Sequence, residues 1–109
     1  MQAPDPDVVI MEYFPGAGSV YKTAIEIKGG TDYSNIHNRV GEAEKSHQKA
    51  RAAGASDFWT VIDLQGADLE LLRQESPTTR HWFALDEVVD RAGLSWDRIY
   101  QLTRSAMGI

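Results

Sequence analysis

Val8 to Gly30 reads VVIMEYFPGAGSVYKTAIEIKGG. Its first six residues are β-branched or apolar apart from Glu12 and form a strand. The FPGAGS segment that follows is a turn, because Pro15 presets φ and Gly16 and Gly18 accept positive φ. Val20 to Lys28 is the return strand, and Gly29-Gly30 stops it. Centred on Pro15–Gly18, the hairpin sets Tyr13 against Val20, Ile10 against Thr23 and Asp7 against Glu26. Directly opposed side chains share one side of a sheet, roughly 4.5–5.5 Å apart at Cβ. Lys28 shares that side about 7 Å further along, because side chains alternate along a strand. One face then gathers Asp7, Glu26 and Lys28. The other, with Val8, Ile10, Ile25 and Ile27, is the expected core face.

Two carboxylates this close repel unless a cation lies between them. Oxygen ligands of this kind suit Mg²⁺, which keeps several waters, and a nearby lysine can position water or stabilise charge at a phosphate. An alternating acid and base is also the ordinary signature of a solvated strand. The opposed Asp7, the glycine exit that lets a ligand approach and the polar segment after it favour the site reading.

Beyond the hairpin, a helical pattern covers residues 35–53 and Gly54 closes it. Phe58 to Leu64 (FWTVIDL) has little polar content and should be a central strand. A short helix over 68–74, a short strand over 81–85 and helices over 86–92 and 95–107 follow. The expected fold class is α/β: a mixed sheet with a central β-hairpin flanked by helices. The 109 residues suit one domain (1–109), with the helical pair at 84–109 inside it.

The composition is that of an ordinary globular domain, 42% hydrophobic and 25% charged. It has no apolar run of membrane-spanning length and no secretory leader pattern, so a cytoplasmic location is expected. Without cysteine there is no thiolate zinc site. The net charge of −5 argues against a general polyanion binder. Yet residues 28–51 hold five basic residues against three acidic ones, a local basic strip.

Pro6-Asp7 and Glu26-Ile27-Lys28, nineteen positions apart from Asp7 to Glu26, resemble the motif of the PD-(D/E)XK nuclease superfamily. EIKGGTDYSNIHNRVGEAEKSHQKA is similar, more narrowly, to type II restriction endonucleases of the XcyI type. The resemblance implies a restriction-endonuclease-like core and a Mg²⁺-dependent DNA endonuclease, with Mn²⁺ able to substitute. It implies Asp7, Glu26 and the Ile27 carbonyl as metal ligands, with Lys28 serving the attacking water. Pro4-Asp5 is a competing first half of the motif. Members usually carry a helix before the first strand, so truncation at the N-terminus is expected here.

Asn35, His37, Asn38, Arg39, Lys45 and Lys49 are the candidate DNA contacts, with amide, imidazole and cationic groups suited to phosphate. Glu44 has Lys45 or Gln48 as its expected partner. Double-stranded DNA is the expected partner, and cutting both strands of a palindrome favours a homodimer. The alternative is a non-catalytic module that binds DNA or a protein through LDEVVDRAGLSWDRIYQLTR. There Val88, Ala92, Leu94, Ile99 and Leu102 would form the core of a helix-turn-helix, against a plain reading of two helices packed on the sheet.

Overall fold

The computed structural model describes residues 6–29 and 35–109. A four-stranded mixed sheet has the order β1-β2-β3-β4. Strands β1 (Val8–Phe14) and β2 (Gly18–Lys28) form the antiparallel hairpin. Helix α1 (Ile36–Ala52) crosses to β3 (Asp57–Ile62), which pairs parallel with β2. Helix α2 (Leu69–Glu75) crosses to β4 (His81–Ala84), parallel to β3. Helices α3 (Leu85–Asp90) and α4 (Gly93–Met107) close the chain. The hairpin therefore contributes one edge strand and one interior strand, and β3 is interior as its apolar run predicts.

Both faces of the sheet are covered. On one, α1 and α2 pack Ile36, Val40 and Leu72 against Ile62 and Trp82, and Ala50 against Ala24 and Phe58. On the other, Val88, Ile99 and Leu102 of α3 and α4 lie against Ile25, Trp59, Val61 and Phe83. The alternation in β2 and β3 thus sorts residues between two helical layers rather than between core and water.

This corrects the expected faces. Ile25 is buried, but Val8 and Ile27 are 43% and 42% exposed, because the α3–α4 layer covers the middle of the sheet and leaves the strand ends open. The register also shifts. Ile10 pairs with Thr23 as expected, but Tyr13 pairs with Ser19 and Glu12 with Val20. The turn is one residue shorter than assumed, with Ala17 N donating to Phe14 O at 3.0 Å. A bulge at Lys22, an unpaired extra residue between the partners of Ile10 and Met11, restores the register before the Asp7 end. The Lys22 ammonium donates to Ala106 O at 2.8 Å, tying the bulge to the last turn of α4.

The C-terminal pair packs as a layer of the domain. Ser95 Oγ accepts from Ala84 N, and Glu87 Oε1 accepts from Ser95 N across the bend. Gly93 has φ 85°, and a Cβ there would lie 2.6 Å from that Glu87 carboxylate. Leu94 is 78% exposed and Ala92 is exposed, so neither joins the expected core, whereas Val88, Ile99 and Leu102 do. The bend turns Ala92 and Leu94 outward as it redirects the chain.

Candidate active site at the ends of β1 and β2

Helix α1 descends along β2 in step with it. Glu42 meets Lys28, Ser46 meets Glu26, and Ala50 meets Ala24. Four helical residues rise about 6 Å and two strand residues about 6.6 Å, so the two periods match over this length. Each residue of the Ala24, Glu26, Lys28 face therefore has a partner one turn further along α1.

The match explains why Glu26 is only 2% exposed. A carboxylate at a solvated strand edge is open to water; this one lies beneath α1. Its pKa is raised from 4.5 to about 7, chiefly by burial and then by the hydrogen bond and charge of the neighbouring Asp7 carboxyl. A hydrogen bond from Ser46 and the charge of Lys28 oppose that shift. Glu26 Oε1 is buried without a hydrogen-bond partner. Such an atom costs about 1–3 kcal/mol unless a ligand satisfies it.

Asp7 is set by the chain beside it. Its Oδ2 accepts from Ile27 N at 2.8 Å. In an extended residue N–H and C=O point to the same side, so the Ile27 carbonyl also faces the β1 side. Continuing the register sets Pro6 opposite Ile27, and a proline has no N–H to give that carbonyl. Asp7, Glu26 and the Ile27 carbonyl thus gather at one end of the hairpin. The Lys28 ammonium stands 3.9 Å from Glu26 Oε2 and 3.8 Å from Glu42 Oε2. Asp5, the competing ligand, and residues 30–34 lie outside the described residues.

Among the described residues no three His, Asp or Glu side chains cluster as a metal cage. The donor set is two carboxylates and a carbonyl, one carboxylate oxygen being an orphan. This fits Mg²⁺, which takes few protein ligands and retains water.

Residues 2–109 match the model of the XcyI restriction endonuclease family. This chain belongs to that family. It is 50% identical over 91 residues to the type II restriction enzyme XcyI of Xanthomonas campestris pv. cyanopsidis, covering 84% of this chain and 27% of that one. It is 44% identical over 105 residues to the type II restriction enzyme Cfr9I of Citrobacter freundii, covering 93% of this chain and 32% of that one. The chain therefore spans about a third of the length of these curated relatives. No solved structure matches it. Among the described residues, no helix is long and apolar enough to cross a membrane.

The candidate DNA contacts of this XcyI-family chain separate into two groups. Asn35, His37, Asn38 and Arg39 occupy the start of α1, the end that faces Lys28. Asn35 and Asn38 are exposed and Arg39 half-buried. His37 Nδ1 is 2.6 Å from Glu75 Oε1, so it links α1 to α2 as well as lying near the site. Lys45 and Lys49 are exposed further down the helix. The second helix of the C-terminal pair lies on the opposite layer, with Arg98 over the Phe83 ring at 5.6 Å and Arg104 over Tyr100 at 5.8 Å.

Sequence reasoning missed Glu42 and Ser46 as neighbours of Lys28 and Glu26. The signal was present: residues four apart on a helix can track residues two apart on a strand. It also missed how Glu44 is held. Gln48 is its partner at 2.6 Å, as one of the two expectations had it. The larger set comes from far along the chain: Ser76 Oγ, Thr78 N and Thr78 Oγ1 all donate to the Glu44 carboxylate. The network continues through Thr79 and Thr60 to His47 Nε2. Burial pulls the Glu44 pKa upward, but these donors outweigh it and hold it below the ordinary value.

Proposed function

We propose that this protein is a Mg²⁺-dependent type II restriction endonuclease that hydrolyses phosphodiester bonds of double-stranded DNA. It works in the cytoplasm as a homodimer, one copy for each strand of a palindromic site. The observation that carries this reading is the buried Glu26 carboxylate, with one orphan oxygen, beside Asp7 and under the Lys28 ammonium. Asp7, Glu26 and the Ile27 carbonyl would hold Mg²⁺, and Mn²⁺ in its place. Bound there, the ion supplies Lewis acidity and a water of lowered pKa.

The chain's own groups do the remaining work. The Ile27 N–H fixes the Asp7 carboxylate, and Ser46 helps to keep Glu26 ionised. Lys28 donates hydrogen bonds to the attacking water or to a phosphate oxygen, and its charge offsets the negative charge that grows at phosphorus. The water oxygen bonds to phosphorus as an ester P–O bond breaks, and the leaving oxygen takes up a proton. Asn35, His37, Asn38 and Arg39 bind the DNA backbone beside the scissile phosphate, with Lys45 and Lys49 further along it. Such contacts position the duplex without reading its bases.

The test is cleavage of long unmodified DNA by the full-length protein, with Mg²⁺ or with EDTA. Mg²⁺ should give discrete fragments and EDTA none. Lys28→Ala should slow single-turnover cleavage by about 10²–10³-fold, the usual cost of one charge-stabilising donor. Parental cleavage by Lys28→Ala, or by the parent in EDTA, contradicts the assignment.

A further inference from the structure

Lys28 stands between two carboxylates and is bonded to neither. Its 3.9 Å distance to Glu26 Oε2 and 3.8 Å to Glu42 Oε2 exceed the roughly 2.7–2.9 Å of a direct charge-assisted hydrogen bond. The two acids differ in setting. The Glu26 side chain is 3% exposed and that of Glu42 67%. A buried carboxylate attracts an ammonium more strongly than a solvated one, because less water screens it. Lys28 also has a short path to Glu26, two residues away on the same strand face. Left to this attraction, the ammonium would close onto Glu26 and occupy the lone pairs that a cation needs. Yet the ammonium stops 3.9 Å from Glu26 Oε2, and Glu26 Oε1 has no partner. The other carboxylate at the ammonium is that of Glu42, at 3.8 Å, brought there by the match between α1 and β2.

We propose that Glu42 is a positioning residue for Lys28. It holds the ammonium off Glu26, which keeps that carboxylate open to a divalent cation and keeps Lys28 directed toward a phosphate. This inference rests on reading Asp7, Glu26 and Lys28 as the active site. Glu42 touches neither substrate nor cation in this account; it acts through Lys28. Its charge alone should weaken DNA binding, so a purely electrostatic surface role and a positioning role predict opposite results on removal.

The experiment compares Glu42→Gln, Glu42→Asp, Lys28→Ala and the double variant Lys28→Ala/Glu42→Gln in the full-length protein. Three quantities are read: the single-turnover cleavage rate at saturating enzyme with Mg²⁺, the Kd for DNA without metal, and Mn²⁺ affinity without DNA. Glu42→Gln should lower both the rate and the Mn²⁺ affinity by about 10–100-fold, the usual effect of losing an outer-shell partner. DNA should bind as tightly as to the parent or more tightly. Glu42→Asp should recover most of the rate. In the Lys28→Ala background, adding Glu42→Gln should change neither the rate nor the Mn²⁺ affinity. A parental rate and Mn²⁺ affinity in Glu42→Gln overturns the inference, and so does an equal loss with and without Lys28. Parental cleavage by Lys28→Ala instead overturns the active-site reading itself, and the inference with it.

Discussion

Glu26→Gln should abolish detectable cleavage and, at pH 8, make the metal-free protein more stable than the parent. The sign follows from the raised pKa. The folded state holds the Glu26 proton up to about pH 7, whereas an unfolded chain releases it near 4.5. Stability from this group is fully present below pH 4.5 and is lost as the pH rises to 7. Above 7 the protein carries an ionised carboxylate in a desolvated place beside Asp7. A shift of this size corresponds to about 3 kcal/mol, and glutamine removes the ionisation while keeping the shape.

His47 makes the comparison sharper. It is fully buried, and burial is the main cause that lowers its pKa from 6.5 to about 4. Its contribution is present above pH 6.5 and lost as the pH falls toward 4, opposite in sign to that of Glu26. Between 4.5 and 6.5 the two contributions offset each other. Urea denaturation should therefore show the parent losing less stability over that range than Glu26→Gln, in which nothing offsets His47 and the burial-lowered His81. A variant that is less stable than the parent at pH 8 would contradict the strained, metal-ready state assigned to Glu26.

Glu44→Ala should be among the most damaging substitutions, costing about 3–5 kcal/mol. Ser76 Oγ, Thr78 N, Thr78 Oγ1 and Gln48 Nε2 would all lose their acceptor. Ser76 is fully buried and Thr78 nearly so, which leaves their donors without water as a substitute. These bonds clamp the turn before β4 onto α1, and α1 carries Glu42 and Ser46 onto β2. Cleavage should fall together with stability, through displacement of the helix. The measurement is a shift of the urea midpoint at constant slope. A loss below about 1 kcal/mol would show that the network is not what fixes α1.

The hairpin, the two crossovers and the interior place of β3 were legible, because they rest on local signals: β-branched runs, turn glycines and a helix closed by Gly54. The pairing of Ile10 with Thr23 was legible too. The turn register was not, since a bulge at Lys22 compensates a shorter turn, and no local rule reveals a compensation of that kind. The burial of Glu26 depended on what covers β2. Strand alternation alone assigns Ile27 to the core and Glu26 to solvent, whereas the helical layers reverse both. The Glu44 network joins residues more than thirty positions apart through hydroxyls, which carry no periodic signature. The likeness of the C-terminal segment to a helix-turn-helix reflected a real bend at Gly93. Val88, Ile99 and Leu102 of that pair pack on the sheet, whereas Val89 and Leu94 are exposed.

The central claim is that Asp7 and Glu26 hold one divalent cation. It is tested most directly by titrating Mn²⁺ into the full-length protein without DNA, reading free Mn²⁺ by electron paramagnetic resonance at pH 6 and pH 8. One site per chain is predicted at the Asp7–Glu26 pair. Binding should displace the Glu26 proton, so affinity should fall by about tenfold for each pH unit below 7. The site should be missing in Glu26→Gln and in Asp7→Asn at both pH values. Mn²⁺ binding of unchanged affinity in Glu26→Gln would contradict the account.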